Sequence, residues 1–224
     1  MAMRLAPEEP EAGPWRVKLL AEVVGSLTQR RPAGLVSGGP MVLAVDGRSS
    51  SGKTTLAARI ADAVAGSAVV HTDDIAWWHS RFGWADLLID GILAPVHWGE
   101  AVAYRPPRWD DRGRDGFITV PAGCPLLIVE GVGAGRRAVA HLIDSLVWVQ
   151  SDEGEANRRS LDRVGKPGES PTVQHLRDWM AEEISFIVEE RPWERADIVV
   201  SGTPELACDL VAEIVVAPPP VSRD

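Results

Sequence analysis

The sequence predicts an α/β fold in which a parallel sheet is covered by helices on both faces. Short runs of Val, Ile and Leu alternate along the chain with segments whose apolar residues recur at helical spacing. The runs are apolar at consecutive positions, which is typical of strands buried on both faces. A stretch rich in glycine and serine, residues 47–55, follows the first strand-like run and leads into a helical segment.

The predicted elements follow this alternation in chain order. Leucines and valines at helical spacing predict a helix over 15–30. Five strands are expected at 41–46, 68–72, 125–130, 145–150 and 197–201. Helices are expected at 54–65, 75–90, 134–142, 153–164, 172–190 and 204–215. Residues 1–14, rich in Pro and Glu, are predicted to be a disordered tail and 218–224 a frayed end, which leaves a single domain over 15–217.

One section, residues 95–123, breaks the alternation. Apolar and aromatic residues at 104–109 and 116–120 flank the polar turn 111–115, which predicts two short antiparallel arms. Insertions of this length in a compact domain often carry recognition residues. We therefore expect the hairpin to take part in binding a substrate.

Composition excludes several classes of function. The 224 residues carry a net charge of −9, and no basic stripe offsets it, so we expect neither nucleic-acid nor membrane binding. No apolar run reaches the length of a membrane span, and the first residues lack the apolar core of a signal peptide. Cys124 and Cys208 are too few and too far apart to suggest a disulfide framework or a zinc site. A cytoplasmic location is expected.

Residues 47–55 match the phosphate-binding pattern G-x-x-x-x-G-K-[ST] in the strand–loop–helix context that the pattern requires. Glycines let backbone N–H groups point inward, and the helix that follows presents its positive end to the same place. Lys53 can reach the β- and γ-phosphates, and the Thr54 hydroxyl can ligate Mg²⁺. The predicted nucleotide-binding residues are Gly47, Ser49, Ser50, Ser51, Gly52, Lys53, Thr54 and Thr55. The alternative is a serine-rich turn before a helix.

Acidic residues follow two of the predicted strands. Asp73 and Asp74 lie where the strand 68–72 ends, on the edge of a parallel sheet that faces the ligand crevice. A carboxylate there can accept the proton of an attacking hydroxyl and bind that substrate, and the sequence leaves open which of the two does so. The alternative is that one of them caps the next helix. Glu130 ends the strand 125–130 and is predicted to hold Mg²⁺, the alternative being a solvated loop acid.

Three arginines lie on the predicted helix 153–164. Arg159 and Arg163 share a face, and we expect them to offset phosphate charge as catalytic residues, with Arg158 beside them binding the nucleotide. The alternative is a solvated face that pairs with Glu153 and Glu155. Glycines near 165–168 would supply the tip of a lid, which we place at about 152–170.

Tryptophan is over-represented, with nine tryptophans against three phenylalanines and one tyrosine. Five of them lie between the second strand and the hairpin: Trp77, Trp78, Trp84, Trp98 and Trp109. Stacked indoles can hold a planar ring or the face of a sugar, and Trp78 is predicted to bind substrate in this way. Burial in the core is the alternative for each of them.

Together these residues resemble the uridine kinase-like branch of the P-loop kinases, which includes pantothenate kinase and phosphoribulokinase. The resemblance spans about 40–203, and the residues that carry it are Asp46 to Thr55, Asp73, the hairpin, Glu130-Gly131, the arginines 158, 159 and 163, and the stretch 191–200. It implies a P-loop NTPase fold of three layers, α/β/α, with a five-stranded parallel sheet whose first strand is central. It also implies that Asp73 is the base toward the acceptor hydroxyl, and that Tyr104 and Arg105 of the hairpin help to hold the acceptor.

The sequence thus favours a small-molecule kinase that uses ATP and Mg²⁺ to phosphorylate a hydroxyl of a nucleoside-like or related acceptor. The first alternative is a nucleotide-binding switch or ATPase that acts through a protein partner. The second is a kinase-like fold that only binds a metabolite. The choice between ATP and GTP stays open, and the protein is expected to be a monomer or a homodimer.

Overall fold

The centre of the molecule is a mostly parallel sheet. The computed structural model describes residues 3–29, 39–166 and 172–220. Within these residues the sheet has the spatial order β1-β9-β8-β7-β2-β6-β3. Its strands are β1 (Arg16–Leu19), β2 (Met41–Gly47), β3 (Ala68–His71), β6 (Leu126–Glu130), β7 (Ser145–Gln150), β8 (Ile198–Ser201) and β9 (Glu213–Ala217). A separate pair consists of β4 (Val102–Tyr104) and β5 (Ile118–Val120).

The five predicted strands form the parallel part of this sheet, with β2 in its middle. Two antiparallel strands that the sequence did not predict, β9 and β1, extend it beyond β8. The helix predicted at 204–215 is therefore wrong, because Ile214, Val215 and Val216 are buried in a strand instead. The helix predicted over 15–30 is wrong at its start, where residues 16–19 pair with β9.

Helices cover both faces of the sheet, as predicted. They are α1 (Leu20–Thr28), α2 (Lys53–Ala63), α3 (Thr72–Ala76), α4 (Ala85–Leu88), α5 (Ala94–His97), α6 (Pro107–Asp111), α7 (Glu153–Leu161) and α8 (Val173–Glu190). The segments Arg137–Leu142 and Pro192–Glu194 are 3₁₀ turns, and Ile89–Leu93 is a π-helical turn. The helix predicted at 75–90 is thus broken into short pieces, and the one predicted at 134–142 is a 3₁₀ turn instead. None of the helices in the described ranges is long and apolar enough to cross a membrane.

Alternate residues of the strands belong to two separate cores. Leu43, Val45 and Ile128 pack with Leu56 and Ile60 of α2 on one face. On the other face Val42, Ala44 and Leu127 pack with Leu88 and with Ile187 of α8. The side-chain period of two along a strand produces this division, and it explains why the strands are apolar at every position.

The insertion forms the predicted antiparallel pair, with Val102 opposite Val120 and Tyr104 opposite Ile118. Its arms are shorter than predicted, because residues 107–111 are the helix α6. Pro106 and Pro107 explain the change, since a proline at the start of a helix has its φ angle preset and needs no hydrogen-bond partner for its nitrogen.

Residues 3–14, predicted to be disordered, lie against β7. The buried Glu9 accepts hydrogen bonds at Oε1 from Trp148 Nε1 at 2.7 Å and from Gln150 Nε2 at 3.0 Å. The backbone N–H of Ala12 donates to Gln150 Oε1 at 3.0 Å. Pro and Glu content indicated disorder, but the glutamate supplies partners that two buried side chains of the sheet require. Of the frayed end predicted at 218–224, residues 218–220 have no regular structure and 221–224 lie outside the described residues. Residues 167–170 of the predicted lid lie outside them as well.

The burial of Glu9 predicts a pH-dependent stability. Burial raises the pKa of Glu9, and its hydrogen bonds oppose the rise. Such a group stabilises the fold below its unfolded pKa, and this contribution is lost as pH rises through the folded pKa. Glu9→Gln loses no proton, so its free energy of unfolding should increase relative to wild type as pH rises from about 4 to 7. Urea unfolding at several pH values measures the difference.

The matched control is Glu8→Gln, because Glu8 is about half exposed and pairs with Arg191. Its stability relative to wild type should not follow the Glu9→Gln curve. If the free energies of unfolding of wild type and Glu9→Gln differed by a constant amount across this pH range, the raised pKa of the buried Glu9 carboxyl would be contradicted.

Candidate active site

The phosphate loop between β2 and α2 has the backbone of an anion cradle. Gly52 is the residue before α2 and has a φ of 103°, while Ser50 has a φ of 60°. These left-handed conformations turn successive N–H groups toward one side, and the eleven-residue helix α2 begins at Lys53. The Lys53 side chain is buried, and its Nζ donates to the carbonyl of Arg48 at 2.8 Å across the loop.

Asp46, the last but one residue of β2, joins this loop to the loop after β6. Its buried carboxylate accepts three backbone hydrogen bonds, from Gly47 at 2.7 Å and from Gly133 and Gly135 at 2.9 Å. Burial raises the pKa of Asp46, and these three bonds together with the charge of Lys53 oppose the rise. The sequence analysis assigned no role to this aspartate, although an acid at the end of an apolar strand was a visible signal.

Thr54 and Glu130, the two predicted metal ligands, meet in the structure. Thr54 Oγ1 donates to Glu130 Oε1 at 3.1 Å, and His71 Nδ1 lies 2.7 Å from Glu130 Oε2. Burial alone would raise the pKa of Glu130, but the hydrogen bond from His71 and the charge of Lys53 outweigh it and lower the pKa. Glu130 is therefore a carboxylate with one oxygen on the first turn of α2 and the other on His71 at the end of β3. Sequence analysis missed His71 as its partner.

Asp73 and Asp74 lie in the first turn of α3, at the same edge of the sheet. Asp74 Oδ1 is ion-paired with Arg114, and the Asp74 carbonyl accepts a hydrogen bond from Trp109 Nε1 at 2.8 Å. Asp73, in contrast, has no hydrogen-bond or ion-pair partner among the described residues. Burial of its carboxylate among protein atoms raises the pKa of Asp73, and the charge of Lys53 opposes the rise. Part of the Asp73 side chain is nevertheless exposed to solvent.

Gly131 brings α3 next to the loop after β6. It has a φ of 142°, and a Cβ atom there would lie 1.8 Å from Thr72 Oγ1. Only glycine allows this approach, which places the first turn of α3 beside Glu130. The glycine therefore sets the spacing between the predicted base and the predicted metal ligand.

The three predicted arginines divide into two groups, and Arg163 lies in the turn beyond α7, because that helix ends at Leu161 and not at 164 as predicted. Arg163 Nη2 donates to Ser50 Oγ at 2.8 Å, and Arg159 Nη1 donates to the Gly202 carbonyl at 3.2 Å and, less closely, to that of Ser50 at 3.4 Å. Arg158 points away from the loop, where it pairs with Glu155 at 2.8 Å and Asp162 at 2.6 Å. Arg158 and Arg159 together lower the pKa of Glu155 to about 2. The structure brings two of the three predicted arginines to the phosphate loop, while Arg158 forms the solvated face that was its alternative.

The predicted acceptor residues also separate. Trp78 is 60% exposed, has a φ of 55°, and carries the Arg112 guanidinium 4.4 Å from its ring centre. Tyr104 packs against Gly91 and lines an open cavity of about 410 Å³ that shares no lining residue with the phosphate loop. Arg105 is ion-paired with Asp110 inside the hairpin. The hairpin reaches Asp74 through Trp109 and Arg114 instead, which sequence analysis did not select.

The other predicted nucleotide-binding residues of the phosphate loop differ in whether their groups are already engaged by protein. Ser50 Oγ lies 2.6 Å from Ser160 Oγ. The Ser51 hydroxyl is buried and has no hydrogen-bond partner within the described ranges. Thr55 is exposed at the start of α2. Ser49, however, is bonded to α8: its N–H donates to Glu183 Oε1 at 2.5 Å, and its Oγ accepts from Trp179 Nε1 at 3.0 Å. Its backbone N–H is therefore engaged by protein and not turned toward the cradle.

This set of groups fits a magnesium nucleotide. Gly47 approaches the Val149 carbonyl so closely that a Cβ would lie 2.6 Å from it, which keeps the cradle free of side chains at its base. No group of three or more His, Cys, Asp and Glu residues in the described parts of the chain could hold a metal. Mg²⁺ at phosphates needs only one or two protein oxygens, and Thr54 and Glu130 offer these.

Comparison with known proteins agrees with this architecture. A possible uridine kinase from Bacillus stearothermophilus superposes with a TM-score of 0.52 at 20% identity, over 80% of this chain and 98% of that one. A candidate fructose transport system kinase from Silicibacter gives a TM-score of 0.51 at 18% identity, over 75% of this chain and 95% of that one. No protein-family model and no curated protein matches the chain. At these identities the likeness shows the fold alone, and the predicted α/β fold with helices on both faces of a mostly parallel sheet is confirmed.

The contact between Gly131 and Thr72 predicts a large effect of one methyl group. Gly131→Ala should lower the free energy of unfolding because the Cβ collides with Thr72 and the positive φ is strained. Gly123→Ala is the matched control, since Gly123 also has a positive φ, 73°, but nothing lies within 4 Å of its added Cβ. Strain alone should cost about 1–2 kcal/mol in the control, and the collision roughly 1–3 kcal/mol more at Gly131. Urea unfolding of both variants tests this; equal losses would contradict the close approach.

Proposed function

We propose that this protein is a kinase that transfers the γ-phosphoryl group of ATP, with Mg²⁺, to a hydroxyl group of a small nucleoside-like or related acceptor. One observation carries the proposal: Asp73, a carboxylate without a protein partner among the described residues, shares a sheet edge with Lys53 and the Thr54–Glu130 pair. This combination supplies a group for the acceptor next to groups for the phosphates.

The nucleotide would lie in the cradle of residues 50–55. Bound ATP supplies the phosphoryl group, and Mg²⁺ held at Thr54 and Glu130 neutralises charge on its phosphates. Lys53 has three donor hydrogens, so it can bind phosphate oxygens while one hydrogen remains on the Arg48 carbonyl. Arg159 of α7 and Arg163 of the turn after it reach the loop and would place positive charge beside the phosphate that is transferred.

Asp73 would orient the acceptor hydroxyl and receive its proton. The hydroxyl oxygen forms a bond to the γ-phosphorus, the bond from that phosphorus to the bridging oxygen of ATP breaks, and the proton passes to the Asp73 carboxylate. Asp74 is less suited to this role, because its carboxylate is already engaged by the guanidinium of Arg114. The raised pKa of Asp73 favours proton uptake by comparison with an ordinary surface aspartate.

The acceptor would bind between α3 and the hairpin. Trp78 with Arg112 stacked on it offers a flat wall suited to a planar ring or a sugar face. Arg114 lies 3.8 Å from the ring centre of Trp109 and 5.3 Å from that of Trp77, so the two indoles hold it beside Asp74. Tyr104 and Arg105 would act only as the frame of the hairpin.

The proposal predicts that Asp73→Asn removes phosphoryl transfer and leaves nucleotide binding nearly intact. The substitution keeps the shape of the side chain but cannot take up the proton, so we expect a loss of at least about 100-fold in turnover. ADP release with Mg-ATP is measured across nucleosides, sugars, pantothenate and amino sugars, and ATP affinity is measured by titration calorimetry.

Asp74→Asn is the matched variant and should retain much more activity than Asp73→Asn. Lys53→Ala is the second control, and it should lose nucleotide binding itself. Wild-type activity in Asp73→Asn would refute the role of Asp73, and nucleotide-dependent turnover stimulated by none of the acceptors would argue against a small-molecule kinase.

A further inference from the structure

We propose that Trp179 and Glu183 of α8 are positioning residues that fix Ser49 and couple the acceptor side of the site to the phosphate loop. This role rests on the proposed function and provides a route by which the acceptor side of the site and the phosphate loop influence each other. Among the described residues, both contact the phosphate loop through Ser49 and form no hydrogen bond with the cradle of residues 50–55 itself.

Ser49 is attached to α8 by two different groups. Glu183 is 1% exposed, and its Oε1 accepts the Ser49 N–H at 2.5 Å. Trp179, one helical turn earlier, donates its indole N–H to Ser49 Oγ at 3.0 Å. A carboxylate this deeply buried requires hydrogen-bond donors, so the contact resists separation of α8 from the loop. Ser49 precedes the cradle directly, and its orientation sets the direction in which the next N–H groups point.

The same helix contacts the segment that follows Trp77 and Trp78. The Trp179 ring lies 5.6 Å from the ring of Phe82, and Phe82 stacks on Phe186 of α8 at 4.3 Å and 9°. Arg81 adds an ion pair with Glu182. One face of α8 therefore holds the acceptor side through aromatic rings and holds the phosphate loop through Ser49.

Arg136 braces this stack from the loop after β6. Its buried guanidinium lies 4.0 Å from the ring centre of Trp84 and 4.7 Å from that of Phe186, and Nη1 donates to the Phe82 carbonyl at 2.5 Å. A cation packed between two rings limits the positions that Phe82 can adopt. A displacement of Phe82 would therefore be passed to Trp179 and from there to Ser49.

Coupling of this kind is a free energy that a double-mutant cycle measures without knowledge of the acceptor. Trp179→Phe keeps a ring against Phe82 but removes the N–H that binds Ser49. Phe82→Leu removes the ring that packs on Trp179 and Phe186 but leaves both hydrogen bonds to Ser49 in place. The probe is MgADP, and its dissociation constant is measured by titration calorimetry on the full chain for wild type, both single variants and the double variant.

We expect each single variant to weaken MgADP binding about 2- to 12-fold, the range that corresponds to one net hydrogen bond. In the Trp179→Phe background Phe82→Leu should leave the affinity nearly unchanged, because the route to Ser49 has been cut. Trp98→Phe is the matched control, since Trp98 is 72% exposed, and it should not change the affinity. Independent, multiplicative effects of the two variants would overturn the coupling.

Glu183 is tested by rescue. Glu183→Gln keeps an oxygen that accepts the Ser49 N–H, so MgADP affinity should stay within about twofold of wild type, whereas Glu183→Ala should weaken it about 5- to 20-fold. Tighter binding by both variants would show that Glu183 only repels phosphate, and would overturn its positioning role. Thermal unfolding checks that each variant is folded. A folded wild-type protein that binds no MgADP would overturn the proposed function as well, while MgADP binding with additive variants overturns only the coupling.

Discussion

The geometry of the site depends on the hydrogen bonds of one buried carboxylate, that of Asp46. A charge inside the sheet is unfavourable unless donors surround it, and the donors here are the N–H groups of Gly47, Gly133 and Gly135. Because these N–H groups belong to two different loops, the carboxylate fixes the phosphate loop and the loop after β6 relative to each other. The contact of Gly131 with Thr72 then adds the first turn of α3 to the same rigid unit. Three strand ends are thus joined before any ligand binds.

Long side chains complete this rigid unit from the outside. Arg159 reaches Ser50 from α7 and Arg163 reaches it from the turn that follows, while Arg114 reaches Asp74 from the hairpin. Guanidinium groups on flexible stems can shift by several ångströms at little cost, whereas the loops cannot. The arrangement therefore combines preorganised backbone donors with adjustable cations, a division that suits a reaction in which charge moves between two substrates.

Local patterns predicted the parallel sheet, the phosphate loop and the meeting of Thr54 with Glu130, since strand ends and glycines constrain their own neighbourhood. Contacts made by segments that carry no recognisable motif escaped prediction. The pairing of Glu9 with Trp148 reverses the apparent disorder of its segment, and the pairing of β1 with β9 replaces part of one predicted helix and the whole of another. Arg158 and Arg159 are neighbours in sequence and both pair with Glu155, but only Arg159 also reaches the phosphate loop, because a helix turns about 100° per residue. Trp179 and Glu183 gave no signal, as helical spacing alone cannot say what a helix touches.

The outer strands of the sheet have a consequence for how the chain is made. β8 pairs with β7 on one edge and with β9 on the other, and β9 in turn pairs with β1, where Arg16 lies opposite Val216. During synthesis β1 leaves the ribosome early but finds its partner only after β9 has emerged, and contacts this distant in sequence form slowly. Until then the edge of β8 can pair with other nascent chains. Once β9 has paired, it closes that edge against further strands, although β9 lies outside the chemistry of the site.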